Sequence, residues 1–151
     1  SLILTDLSTC LNEIASSFRP VLEYLEVEFE TDIPHDLPKL YLDPLKIRQV
    51  FLNILRNAQE SISHPHGIIR FRAESTTQYV HISVCDNGCG MTSSQKTRVF
   101  EPFITYKSGG TGLGLAVTRQ IIEAHHGSVE IESAPGSGST FHVYIPLDRD
   151  L

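Results

Sequence analysis

An α+β domain is predicted: a two-layer sandwich whose mixed, mostly antiparallel sheet of about five strands carries about three helices on one face. Two observations lead there. Five short runs alternate apolar and polar residues, and three longer stretches repeat their apolar residues at helical spacing. A third is that the helical and strand patterns partly segregate along the chain.

Taken in order, the first helix is expected over 8–24, where Leu11, Ile14, Ala15, Phe18 and Leu22 recur at helical spacing. Ser8 is its expected N-cap and Pro20 a point of kinking. VEFETD (27–32) alternates as a strand, and IPHDLP (33–38) is a proline-rich connection. A second helix is expected from Asp43 to Ile62, with Asp43 as N-cap and Pro44 at its first position. Ile68 to Glu74 and Tyr79 to Cys85 are strands joined by a polar turn. An irregular, glycine-rich stretch fills 86–111. The third helix runs from Gly112 to about His126 and is ended by Gly127. Ser128 to Ser133 and Ser139 to Leu147 are the closing strands, around the turn APGSGS.

With 151 residues, the chain is the size of one ordinary domain and is read as a single unit over 1–151. A net charge of −6 excludes an extended basic face for nucleic acid. Three cysteines (10, 85 and 89) are too few for a disulfide framework, and Cys85 and Cys89 are read as small buried residues. No run is long enough to span a membrane and no signal peptide opens the chain, so a cytoplasmic domain is expected. The start at Ser1, without Met, suggests a piece of a larger protein that is itself soluble or membrane-anchored.

Three features ask for chemistry. DNGCGM (86–91) ends a strand in a carboxylate and then places glycines at 88 and 90; it reads as a plain turn or as a ligand-binding edge. Asn53 and Asn57 lie one turn apart beside the apolar stripe Ile47, Val50, Phe51, Ile54, Ala58 and Ile62. They are either solvated amides or oxygen ligands for a hard cation such as magnesium, which is typically shared with substrate phosphates. SGGTGLGLA (108–116) sets glycines at 109, 110, 112 and 114 around a helix start, serving as a hinge or as bared amides for phosphate. Neither a dinucleotide-binding spacing nor a Walker loop fits it.

In this order the pieces resemble the ATP-binding domain of sensor histidine kinases, within the gyrase/Hsp90/histidine-kinase/MutL superfamily and its Bergerat-type fold. LNILRNAQES (52–61) resembles the family's asparagine box, DNGCG (86–90) its first glycine box and VFEPF (99–103) its phenylalanine box. GTGLGLA (110–116) resembles the second glycine box and GSGSTF (136–141) the last. The similarity covers nearly the whole chain, from Leu7 to Pro146.

The resemblance implies ATP and Mg2+ as cofactors. It implies that Asp86 accepts a hydrogen bond from the adenine amine, and that Gly88 and Gly90 let backbone approach the base. Thr140 is implied near the adenine, with Met91, Gly110, Thr111, Gly112, Leu113, Gly114 and Leu115 completing the nucleotide site. Asn57 is implied as the magnesium ligand and Asn53 as a helper that holds the metal or its waters. Asn53 stands where related ATPases carry a glutamate base, so the site is expected to keep ATP intact until an acceptor arrives. The short segment from Phe100 to Gly110 resembles the short lid of nitrogen-regulator-type kinases, and Lys107 in it is implied near the terminal phosphate. With Asn53 and Asn57, Lys107 forms the implied catalytic set. Glu60 stands where long-lid relatives have a basic residue, and Arg98 is a second candidate cation. Phe100 and Phe103 are expected to anchor the lid or to dock a partner domain.

None of the seven histidines lies in the family's phospho-acceptor context. The expected activity is therefore transfer of the ATP γ-phosphoryl to a histidine on an adjacent dimerisation domain outside this chain, with a response regulator receiving it next. Alone, the domain is expected to be monomeric and to bind Mg-ATP with little kinase activity. Alternatives from the same residues are a serine kinase of the anti-sigma-factor type and a nucleotide sensor without transfer.

Overall fold

The computed structural model describes residues 1–102 and 114–147. In chain order the elements are β1 (Ile3–Thr5), α1 (Leu7–Tyr24), β2 (Glu28–Asp32), β3 (Leu40–Leu42), α2 (Pro44–Glu60) and β4 (Ile68–Ser75). β5 (Tyr79–Asp86), α3 (Ser93–Arg98), α4 (Gly114–Ala124), β6 (Ser128–Ser133) and β7 (Ser139–Pro146) complete them. Five strands form the main sheet in the order β2-β4-β5-β7-β6. Only the β2–β4 pair is parallel, so the sheet is mixed and mostly antiparallel, as expected. α1, α2 and α4 cover one face, with α2 in the middle touching both other helices. The outcome is the predicted two-layer sandwich.

Strict alternation sets the inner row of each strand. On β5, Val80, Ile82, Val84 and Asp86 are buried, while Tyr79, His81, Ser83 and Cys85 are half-buried on the opposite face. Phe51 of α2, Phe71 of β4 and Phe141 of β7 fill the interface between the layers. Each such ring contributes about 1.5–3 kcal/mol by leaving water. The last position of the inner β5 row is thus an acid at the core's rim.

Several helix ends differ from expectation. α1 is capped by Asp6, whose carboxylate accepts the Thr9 amide at 3.2 Å. Ser8 instead lies buried inside the helix, donating to the Pro34 carbonyl (2.7 Å) and accepting from the Leu37 amide (3.1 Å). That pair of bonds ties the proline-rich connection down. α1 continues through Pro20 to Tyr24. α4 turns off at His126 rather than Gly127: His126 takes the left-handed conformation (φ 63), and the Gly127 amide reaches the Ile122 carbonyl at 2.9 Å. Gly127 serves close packing, since a Cβ there would stand 2.4 Å from the Tyr144 carbonyl oxygen. His125 is buried, donates Nδ1–H to the Ile121 carbonyl (2.8 Å), and accepts the Asp43 amide at Nε2 (3.1 Å). It clamps the end of α4 to the start of α2.

The small β1–β3 ribbon and α3 are additions to the predicted elements. α3 opens on a Thr92–Gln95 capping box, a signal present in the sequence within the stretch read as irregular.

Candidate active site

At the end of β5, Asp86 stands opposite Ile69 on β4 and Ser139 on β7 and is 4% exposed. Its Oδ1 accepts from the Gly88 amide at 2.8 Å and from the Ser61 hydroxyl at 3.2 Å. The first bond is the local turn that an aspartate two residues ahead of a glycine forms. The second reaches across to the C-cap of α2. Ser61 also accepts the Cys89 amide on its carbonyl (2.9 Å), so the 86–91 loop is fastened to α2 along two lines. The turn is thus part of the contact between the end of β5 and α2.

The glycines of that loop pack tightly against neighbouring backbone. A Cβ on Gly88 would lie 2.5 Å from both the carbonyl and hydroxyl oxygens of Ser61. Gly90 adopts φ +69, and a Cβ there would stand 2.0 Å from the Ala134 carbonyl oxygen. Both permit the loop to press on α2 and on the β6–β7 turn, so it is protein backbone that they bring close.

α2 supplies the opposite wall. Asn53, Asn57 and Ser61 recur every four residues and therefore share one stripe of the helix. Asn53 donates Nδ2–H to the Gly114 carbonyl at 3.2 Å, and the buried Thr118 hydroxyl donates to the same oxygen at 2.8 Å. The start of α4 is thereby held against one end of the stripe, and Asp86 against the other. An uncharged amide oxygen such as that of Asn53 is a ligand type that suits a hard cation or its water. The half-buried Asn57 sits between Asn53 and Ser61.

Residues 42–149 match the family described as "Histidine kinase-, DNA gyrase B-, and HSP90-like ATPase". The chain belongs to this family. It is 36% identical over 143 residues to Sporulation kinase B of Bacillus subtilis (strain 168), an alignment that takes in 95% of this chain and 33% of that protein. The catalytic domain of histidine kinase ThkA, in a nucleotide-free form, has the same fold at a TM-score of 0.85 and 31% identity, over 97% of this chain and 96% of that one. Full-length ShkA in complex with AMPPNP matches at a TM-score of 0.86 and 27% identity, over 99% of this chain and 32% of that one. The chain thus spans about a third of the curated relative it matches, and nearly all of a histidine kinase catalytic domain.

In this histidine-kinase-type ATPase domain, Thr140 and Asp86 lie on opposite faces of the sheet. Thr140 pairs with Cys85 and Glu132, half-buried on the sheet face away from the helices. Its neighbour Ser139 is buried on the Asp86 side, because a single step along a strand reverses the side chain. The Ser139 hydroxyl meets Ser133 Oγ at 2.7 Å, and Ser133 Oγ accepts the Met91 amide at 2.8 Å. The inward alternation of Phe141, Val143 and Ile145 was the signal that could have identified Ser139. Thr118 carried no such signal; it sits at an ordinary core position of α4.

Met91 and Leu115 are half-buried against the core at the edges of the site. Phe100 meets Phe141 edge-on at 6.4 Å and lies under the Arg119 guanidinium at 5.5 Å. Arg98 pairs with Glu101 at 3.2 Å on the surface. Cys85 is half-buried and Cys89 exposed, against the expectation that both are buried; the outward pleat of β5 and the loop place them so. Phe103, Lys107, Gly110, Thr111, Gly112 and Leu113 lie outside the described residues. Among the described residues no helix is long and apolar enough to cross a membrane.

Proposed function

We propose that the chain is the catalytic domain of a two-component sensor kinase, binding ATP with Mg2+ and passing the γ-phosphoryl to a histidine on an adjacent dimerisation domain. A response regulator then takes the group. The observation that carries this reading is the α2 stripe: Asn53, Asn57 and Ser61 run for about 12 Å along the helix, from the start of α4 to Asp86. That is the reach of a nucleoside triphosphate from base to terminal phosphates.

Asp86 recognises the adenine amine. An ionised carboxylate only accepts, so guanine, with a carbonyl at that position, leaves it unpaired. Ser139 takes the place beside the base first assigned to Thr140. Asn57, helped by Asn53, holds the metal, which supplies charge neutralisation at the phosphates. Lys107, with Gly110, Thr111, Gly112, Leu113, Gly114 and Leu115, is assigned to the phosphates by the family resemblance. Full-length ShkA, similar over 99% of this chain, is in complex with AMPPNP, which supports nucleotide binding.

Asn53 favours transfer over hydrolysis. Its amide cannot take a proton from water at neutral pH, and its Nδ2–H is committed to Gly114. Positioning and charge neutralisation carry the reaction instead: an imidazole nitrogen of the acceptor bonds to the γ-phosphorus as the bond to the β-bridging oxygen breaks and ADP departs.

The test adds labelled ATP, magnesium and a separately made acceptor-histidine domain to this chain. Acid-labile label on the acceptor is the expected result. Acid-stable label would make the chain a serine kinase, and intact ATP binding without transfer to any acceptor would leave a nucleotide sensor.

A further inference from the structure

The sheet face away from the helices carries a row of polar side chains that the nucleotide site does not use. Glu74 on β4, His81 on β5, His142 on β7 and Glu132 on β6 come from four consecutive strands of the sheet. They touch in sequence: Glu74 Oε1 lies 3.3 Å from His81 Nδ1, His81 Nε2 lies 2.8 Å from His142 Nδ1, and His142 Nε2 meets Glu132 Oε1. The two imidazoles are edge to edge, with centroids 5.0 Å apart and planes within 24°. Tyr144 stacks on His81 at 4.7 Å, leaving the histidine side chains only 16–20% exposed.

Hydrogen counting exposes a deficit. Three gaps separate four groups, and two neutral imidazoles bring two ring hydrogens. If each outer nitrogen donates to its glutamate, the inner nitrogens turn lone pairs on each other at 2.8 Å. Either His81 donates Nε2–H to His142 Nδ1 and the 3.3 Å Glu74 contact goes without a hydrogen, or a cation stands between the two rings.

We propose that His81 Nε2 and His142 Nδ1 are the protein ligands of a divalent first-row transition ion, of which Zn2+ is the reference. Imidazole suits such ions. Each ring already has what a metal-ligating histidine needs, its second nitrogen directed at a carboxylate that fixes tautomer and orientation. Zinc–imidazole bonds of about 2.0–2.1 Å require the nitrogens to part by roughly half an ångström. Among the described residues no three His, Cys, Asp or Glu groups converge on one point, so water completes the coordination. The ion would bridge β5 and β7, the strands whose far ends hold Asp86 and Ser139. It lies on the opposite side of the sheet from α2, so its fate is independent of the nucleotide reading.

Calorimetric titration of the 151-residue chain with ZnCl2, without nucleotide, tests this. One equivalent should bind. His81→Gln and His142→Gln should each weaken binding at least tenfold, and Glu132→Gln by about tenfold through the lost orientation. Imidazole NMR signals of these two histidines, and not of the other five, should move on loading. Unchanged urea midpoints in the metal-free variants exclude misfolding as the cause. Absence of binding by the parent chain overturns the proposal, as does equally tight binding by the double variant His81→Gln/His142→Gln.

Discussion

The Ser61 hydroxyl lies 3.2 Å from Oδ1 of Asp86, joining the end of α2 to the end of β5 across 25 residues of sequence. The same hydroxyl lies 2.8 Å from the Ala58 carbonyl, and the Gly88 amide also donates to that carboxylate oxygen. Ser61→Ala should therefore cost only about 1 kcal/mol, since the Gly88 bond survives. Gly88→Ala should cost more, about 1–3 kcal/mol, because its Cβ meets the Ser61 carbonyl as well as the hydroxyl at 2.5 Å. Combining the two should leave most of the Gly88→Ala penalty in place. Urea unfolding midpoints of the four proteins check this, and full rescue by Ser61→Ala would assign the tight contact to the hydroxyl alone.

Asp86→Asn separates folding from recognition. Asparagine keeps an acceptor oxygen for the Gly88 amide and the Ser61 hydroxyl, so those two bonds should survive. Its NH2 then opposes the adenine amine, donor against donor. ATP affinity should fall by about 1.5–3 kcal/mol, roughly ten- to a hundredfold. Calorimetric titration with Mg-ATP measures it, and retained affinity would remove Asp86 from base recognition.

Much of this was legible in advance because strong local signals agreed with the final packing. Alternation fixed β4, β5, β6 and β7, and Asp43–Pro44 fixed the start of α2 to the residue. What local pattern hid was tertiary. The register of β7 against β5, which places Ser139 and not Thr140 beside Asp86, depends on which face is buried. That Gly88 and Gly90 accommodate α2 and the β6–β7 turn requires knowing what passes nearby. Ser8 looked like a cap because caps and short buried anchors use the same residue types.

Asn53 and Asn57 share a stripe but should respond differently. Asn57→Ala removes a proposed ligand from a half-buried helix position. Magnesium-dependent ATP binding should be lost, while binding in EDTA should match that of the parent chain. Asn53→Glu instead replaces a donor with an acceptor opposite the Gly114 carbonyl. It should destabilise by about 1–3 kcal/mol and yield no gain in ATP hydrolysis. Titration with and without EDTA tests the first, and a phosphate-release assay the second. Brisk hydrolysis by Asn53→Glu would show that the Gly114 bond does not decide this residue's role.

Asp43 makes the acid limb of stability predictable in sign. Burial pushes its carboxyl upward, but the Lys46 amide, the amino terminus at Ser1 and the Lys46 charge together hold it below the usual carboxylate range. A carboxyl lowered in the folded state contributes stability that is complete above its unfolded value, near 3.9. That contribution fades as pH falls through the lower folded value. Asparagine caps helices about as well as aspartate and does not titrate, so Asp43→Asn should flatten the acid limb while keeping α2 capped. Urea midpoints at pH 6, 4 and 3 should converge between the variant and its parent as pH falls. Parallel acid limbs would show that other carboxylates dominate the acid sensitivity and that the Asp43 cap acts through geometry alone.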